Sequence, residues 1–301
     1  MKTNSKAGRL ARFGWWHGVA AVLGMYFLGL PMQRVFAADA VEKTLIEQAM
    51  AAWQRGDAPE AMKLSQRLVS DSPEYPAGWL LRASLFDALG QPLAVATNLS
   101  QLIRLEPGNA RHYEKRGVKF FQAGKVPEAL IDFDRVNELA PGLAPQNWQR
   151  GIALYYAGRF ADGRKQFELH QTVNSQDVEN AVWHFLCTAR EQGVSVAQSK
   201  LIAISGDGRV PMTEVHRLFA GRATAADVLI AAEAVKGTDV EKRQPRFYAQ
   251  LYLGLYYEAV GDLGKARDHI EKSLRLALSG DYMGDVAKVH AQLRGWSGKG
   301  K

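Results

Sequence analysis

"RGVKFFQAGK" spans residues 116–125 and "RGIALYYAGR" spans residues 150–159. Each runs Arg-Gly, a mostly apolar stretch carrying an aromatic, then Ala-Gly and a cation, and the two copies begin 34 residues apart. The same step separates Gly56, Gly90, Gly124 and Gly158, and again Pro73, Pro107 and Pro141. Between glycine and proline lie "APEAMKLSQRLVS", "QPLAVATNLSQLIRLE" and "KVPEALIDFDRVNELA", with apolar residues recurring at i, i+3, i+4 and i+7. That spacing predicts helices with one buried face. The stretch before each glycine reads as helix too. The unit is therefore a helix, a tight turn at glycine, a second helix and a stop at proline. A chance bundle would not hold glycine and proline in phase over three periods.

A 34-residue period with this anatomy resembles the tetratricopeptide repeat. Trp79 and Tyr113 fill that family's first aromatic position, and Ala83, Gly117 and Gly151 its small position in the first helix. Phe86 and Phe120 follow three residues later, Ala61 and Ala129 open the second helix, and Phe133 and Phe167 pack its middle. A mid-helix glycine costs about 1 kcal/mol relative to alanine. Its recurrence at 117 and 151 therefore predicts backbones packed too closely for a larger side chain. Repeats fall at 42–75, 76–109, 110–143 and 144–177; in the fourth, Gly163 replaces the usual alanine and no proline closes it. Phase is then lost over an irregular helical segment, 178–245, and returns at 247–280 with Gly254, Gly261, Ala266 and Ile270. A last amphipathic helix near 282–294 is expected to cap the stack, because a terminal repeat needs a solvent-compatible face. The expected fold is all-α: a solenoid of helical hairpins with an irregular insert and a C-terminal capping helix, followed by a loose tail over 295–301.

The chain has 301 residues, 47% apolar and 23% charged, with a formal charge of +7. Five of the 38 Lys and Arg precede residue 37, leaving 33 against 31 acids, a net of +2. No basic run remains that would bind phosphates, which argues against nucleic acid. Residues 13–30, "FGWWHGVAAVLGMYFLGL", carry no charge and follow four cations, and "VFAADA" (35–40) offers a cleavage site after Ala37. Residues 1–37 read as an export signal, with an uncleaved inner-membrane anchor over 13–30 as the alternative. Either reading places the remainder in the periplasm or cell envelope. Cys187 is the only cysteine. Its apolar setting, "AVWHFLCTA", predicts a buried, inert thiol.

Catalytic constellations are not apparent. The seven histidines are scattered, with no His-Glu-x-x-His and no paired cysteines, so neither a metal nor a cofactor is expected. His184 is expected in the core and His269 in solvent. "SGDGRVP" (205–211) lacks the Lys-Ser/Thr of a phosphate loop and reads as a turn. Asp132 and Asp134 stand two apart on a helix and point to different faces, a poor acid/base pair. "NLS" (98–100) falls inside a repeat helix, so its match to a glycosylation sequon is fortuitous. The chain reads as a non-enzyme.

Binding is what the architecture offers. In tetratricopeptide proteins the inner wall is lined by positions 2, 5, 9, 12 and 13 of each repeat. Carried over, the resemblance names Ile46, Met50 and Trp53, then Leu80 and Asp87, then Arg111, Glu114, Phe121 and Gln122, and finally Trp148, Tyr155 and Tyr156. The Lys and Asn pattern that clamps a C-terminal carboxylate is missing. An aromatic and aliphatic wall suits an apolar segment of a partner protein. One of Tyr155 and Tyr156 is expected to pack between helices instead.

"RGIALYYAGR", the irregular stretch with "AVWHFLCTAREQG", and "YLGLYYEAVGDLGKARDHIEKSL" (252–274) are together similar to the NlpI lipoproteins of Gram-negative bacteria across residues 42–293. That resemblance implies an envelope adaptor that dimerises and links a periplasmic protease to peptidoglycan hydrolases. The departure is the lipidated cysteine that those proteins carry after the signal, which this chain lacks. A purely architectural, self-assembling component and an accessory subunit of an envelope enzyme are the competing functions.

Overall fold

The computed structural model describes residues 40–278 and 280–296. The export-signal reading of 1–37 and most of the tail lie outside them. All regular structure among the described residues is helical, and none of these helices is long and apolar enough to cross a membrane. The chain divides into two compact units, one ending at Ala88 and one beginning at Leu89.

In the first unit α1 (Ala40–Gln54) and α2 (Ala58–Asp71) form a hairpin, and α3 (Pro76–Ala88) packs on α2. The Asp57 carboxylate accepts from the Glu60 amide at 3.1 Å and so starts α2. The apolar stripes meet in a small core of Leu45, Ala49, Ala61, Leu68, Leu81 and Leu85.

The second unit continues with α4 (Pro92–Leu105), α5 (Ala110–Gln122) and α6 (Val126–Leu139), then a 3-10 turn over Pro141–Gln146. Next come α7 (Trp148–Tyr156), α8 (Phe160–His170), α9 (Val178–Gln192) and α10 (Val194–Ser199). After the irregular loop at 200–211 follow α11 (Met212–Phe219), α12 (Ala225–Glu233), α13 (Asp239–Ala259), α14 (Leu263–Leu276) and α15 (Tyr282–Leu293). The pairs α5/α6, α7/α8 and α13/α14 are the hairpins that the periodicity predicts.

Two features explain the repeat physically. The turn glycines Gly124 and Gly158 sit at φ +72° and +74°, a region that L side chains rarely adopt, so the hairpin bend needs glycine there. Inside the first helices, a Cβ on Gly151 would stand 2.6 Å from Phe167 Cζ, and one on Gly117 would stand 2.9 Å from Phe133 Cε1. The close neighbour is thus an aromatic ring of the second helix, rather than a backbone as the sequence suggests. The glycine is the socket, and the ring 16 residues later is its plug. Phe133 and Phe167 are both buried, each contributing about 1.5–3 kcal/mol by leaving water.

The arginine before each of these glycines is a tie. Arg116 donates to Asp132 of α6 at 2.7 and 2.8 Å and to Ser100 of α4 at 2.9 Å. Arg150 does the same one period later, reaching back to Asp134 at 2.6 Å and forward to Gln166 at 3.2 Å. Each guanidinium therefore joins the preceding second helix to its own. The first-position aromatics also tie helix to turn, since Trp79 Nε1 donates to the Pro73 carbonyl at 2.7 Å and the Tyr113 hydroxyl to that of Pro107 at 3.2 Å.

Two smaller expectations resolve differently. His184 is buried as anticipated, but His269 is half-buried rather than solvated, stacked on Tyr257 and hydrogen-bonded to Gln250 at 2.7 Å. Asn98 is buried in α4, out of reach of glycosylation.

Candidate functional site

In the first unit, Ile46 is buried in the small core, while Met50 and Trp53 pack against it half-buried. Leu80 and Asp87 are half-buried on α3. In the second unit, Arg111 and Glu114 are exposed at the start of α5. Of the remaining wall residues, Phe121, Gln122, Trp148 and Tyr156 share one neighbour, which is α15.

Tyr282 inserts between the two wall helices. Its ring stacks on Phe121, with centroids 5.7 Å apart, and meets Trp148 edge-on at 4.9 Å. Such aromatic pairs contribute roughly 0.5–1.5 kcal/mol beyond the area they bury. Gln122 donates to Asp285 at 2.7 Å, and the Tyr156 hydroxyl lies 3.0 Å from Nδ1 of His290. Met283, Val286, Ala287 and Val289 bury the apolar face of α15 in the same core. The last helix therefore does more than close the end of the stack: it lies on α5 and α7 and encloses Phe121 completely. Tyr155 is the tyrosine that packs inward, 4% exposed, against Tyr156, Phe160 and Trp183. Truncating Trp148 and Tyr155 together would therefore remove core as well as wall.

The inner end of α15 carries a buried polar network. Arg294 Nε binds Glu258 Oε1 at 2.5 Å, and His290 Nε2 stands 3.3 Å from Glu258 Oε2. In the neutral tautomer that fits, the Tyr156 hydroxyl donates to Nδ1, while Nε2–H faces the carboxylate without forming a hydrogen bond to it. Burial pushes His290 down to about 3, and the nearby Arg294 adds to the effect. Unfolded histidine takes up its proton near 6.5. The depressed value therefore supplies stability in full above pH 6.5, and that stability is lost as pH falls from 6.5 toward 3. The His290 ring resonances should keep their neutral positions down to about pH 4. Titration near 6.5 would refute the network as drawn.

Cys187 is wholly buried, and burial pushes its thiol well above its ordinary value. No group of three or more His, Cys, Asp or Glu among the described residues could hold a metal ion. The wall partners on α15, namely Tyr282, Asp285 and His290, escape sequence reasoning, since that helix carries no repeat signature. The tie formed by Arg116 and Arg150 is visible in the sequence as the recurring Arg-Gly, although its role is not.

The profile of the tetratricopeptide repeat family matches residues 80–144. Among solved structures, the chain is similar to a tetratricopeptide repeat protein from Parabacteroides merdae, 15% identical with a TM-score of 0.53, covering 83% of this chain and 98% of that one. It also matches the MamA protein (12% identical, TM-score 0.49, 66% and 97% covered). A further match is the pilF protein of Pseudomonas aeruginosa (13% identical, TM-score 0.42, 84% and 98% covered). The chain thus carries tetratricopeptide repeats within residues 80–144 and has the all-helical hairpin fold of such proteins.

Proposed function

We propose that the chain is an exported, non-catalytic scaffold that binds partner proteins on the first helices of its repeats and serves as an adaptor in the cell envelope. The observation that carries this reading is the α5–α7 wall holding α15. An aromatic face that accepts an amphipathic helix, with one tyrosine inserted and polar contacts at the rim, has the chemistry of helix-in-groove recognition. The uncharged segment at 13–30 supports export, and the resemblance to NlpI-type proteins supports a role linking an envelope protease to peptidoglycan hydrolases, as a homodimer. This reading takes as further groove positions Arg111 and Glu114 of the second unit, which are exposed, and Met50, Trp53, Leu80 and Asp87 of the first, which are half-buried.

The same observation favours a second reading. A wall already filled by the chain's own helix suits an architectural component whose surfaces meet other copies of itself. Photo-crosslinkers placed at Trp53, Arg111 and Glu114 of the full-length chain in cell envelopes separate the two. Crosslinks to a protease or hydrolase support the adaptor, crosslinks only to the chain itself support the architectural reading, and none at any position overturns both.

A further inference from the structure

The loop "SGDGRVP" (205–211), a plain turn by its sequence, is strapped across the start of α9. Gln176 Oε1 accepts from the Ser205 amide at 2.9 Å, and Asp207 accepts from the Val178 amide at 3.1 Å. Arg209 completes the strap, donating to Asp207 at 2.6 and 3.0 Å and to Asp177 at 2.5 Å. Glu179 stands behind it, 3.4 Å from the same guanidinium.

One guanidinium thus faces three carboxylates, none of them more than 17% exposed. Like charges gathered out of water resist ionising together, and the carboxylate with the fewest donors keeps its proton longest. Asp207 accepts from the Arg209 side chain, from the Arg209 amide at 3.1 Å and from the Val178 amide. Burial pushes against it, but these donors hold Asp207 below the usual carboxylate range. Asp177 accepts from Arg209, from the Glu179 amide at 3.0 Å and from Asn174 at 3.1 Å.

Glu179 is the poorest served. Among the described residues it has the more distant Arg209 and the Tyr252 hydroxyl of α13, with Tyr248 of the same helix nearby. Asp281, which caps α15 by accepting from the Met283 amide at 3.2 Å, faces it as a further carboxylate. His170 of α8 borders the same cavity of about 190 Å³ and is engaged with the Pro145 carbonyl at 2.8 Å. Burial first of all pushes Glu179 up to about 7; Arg209 and Tyr252 oppose, while Asp177 and Asp281 add.

We propose that Glu179 is a proton-operated latch for the strap at 205–209. Protonated, it leaves Arg209 to Asp177 and Asp207, and the strap stays closed on α9. Ionised, it competes for that one guanidinium and adds a buried negative charge, which loosens the strap. The carboxyl holds its proton more tightly folded (about 7) than unfolded (4.5). Its stabilising contribution is therefore full below pH 4.5 and is lost as pH rises through 7. His290 acts with the opposite sign, so a change at Glu179 itself is needed to isolate the latch.

The latch needs no partner protein, so it stands or falls apart from the scaffold reading. The test uses the full chain with isotope-labelled glutamate carboxyls, Glu179 being assigned through its own backbone resonances. Its midpoint should lie at about 7, and a midpoint below about 5 overturns the proposal without any variant. Amide exchange, corrected for intrinsic rates, then reads the strap at Val178, Ser205 and Arg209. In the wild type their protection should drop about tenfold between roughly pH 6 and 8, with the midpoint of the carboxyl. In Glu179→Gln, which mimics the protonated acid, it should stay level. Constant protection in the wild type, or an equal fall in both proteins, overturns the latch even where the carboxyl titrates as expected.

Discussion

Replacing Arg116 with alanine is expected to destabilise the second unit by about 3–5 kcal/mol, the cost of removing one partner of a buried ion pair. For a unit of this size that corresponds to a fall in Tm of roughly 6–20 °C. The reason is the partner left behind. Asp132 is 1% exposed, and both of its oxygens are bound by this one guanidinium. Arg150 offers an internal control. It occupies the equivalent place one period later, but its carboxylate partner Asp134 is 39% exposed and keeps its water. Arg150→Ala should therefore cost less, about 1–3 kcal/mol, chiefly for the buried Gln166 acceptor that it leaves unpaired. Replacing Arg116 and Asp132 together, by methionine and leucine, should recover most of the loss, because no buried charge then remains. Denaturant midpoints on the three variants decide the matter. Equal losses for Arg116→Ala and Arg150→Ala would show that burial is not what separates them.

Tyr282 should divide sharply by substitution. Tyr282→Ala empties the space between Phe121 and Trp148, and because the ring is only partly buried the loss should be about 3 kcal/mol, the lower end of the cost of a core aromatic. Tyr282→Phe should be neutral or slightly stabilising, because the hydroxyl is buried with no hydrogen-bond partner and its removal relieves a desolvated polar group. The loss in the alanine variant should appear in the global unfolding midpoint, since Val286, Ala287 and Val289 are continuous with the main core. Hydrogen exchange provides the contrary outcome. If only the amides of α15 lose protection while the midpoint holds, α15 opens on its own and the wall beneath it is accessible to a partner.

What the linear chain discloses concerns local structure. Glycine and proline in phase announce hairpins because each residue type restricts its own backbone: Gly124 and Gly158 occupy the left-handed region that the turn demands. Periodic apolar residues announce which helix faces are buried. These restraints act within a few residues, so a linear pattern carries them. The wall is legible only as a set of positions along first helices. The resemblance names Phe121, Trp148, Tyr155 and Tyr156, and nothing in that pattern could say that Tyr282 and His290, more than 130 residues away from Trp148 and Tyr156 in the chain, would stand against them.

The departures from the repeat mark the boundary between the two kinds of information. Gly163 breaks the family pattern, and the pattern offers no reason. In the folded chain a Cβ there would stand 2.8 Å from Cys187 Sγ, so the glycine makes room for the thiol of a helix outside the repeats. Asn180 reads as an ordinary polar residue opening an apolar helix, and only the folded chain buries it, with its amide donating to the Phe167 carbonyl and to Gln171. The hairpins, their period and the burial of their facing stripes were thus written in the order of residues, because propensity and side-chain direction are local. What fills the wall, and where polar atoms are stranded, was settled by folding, because packing joins residues whose separation along the chain carries no signal.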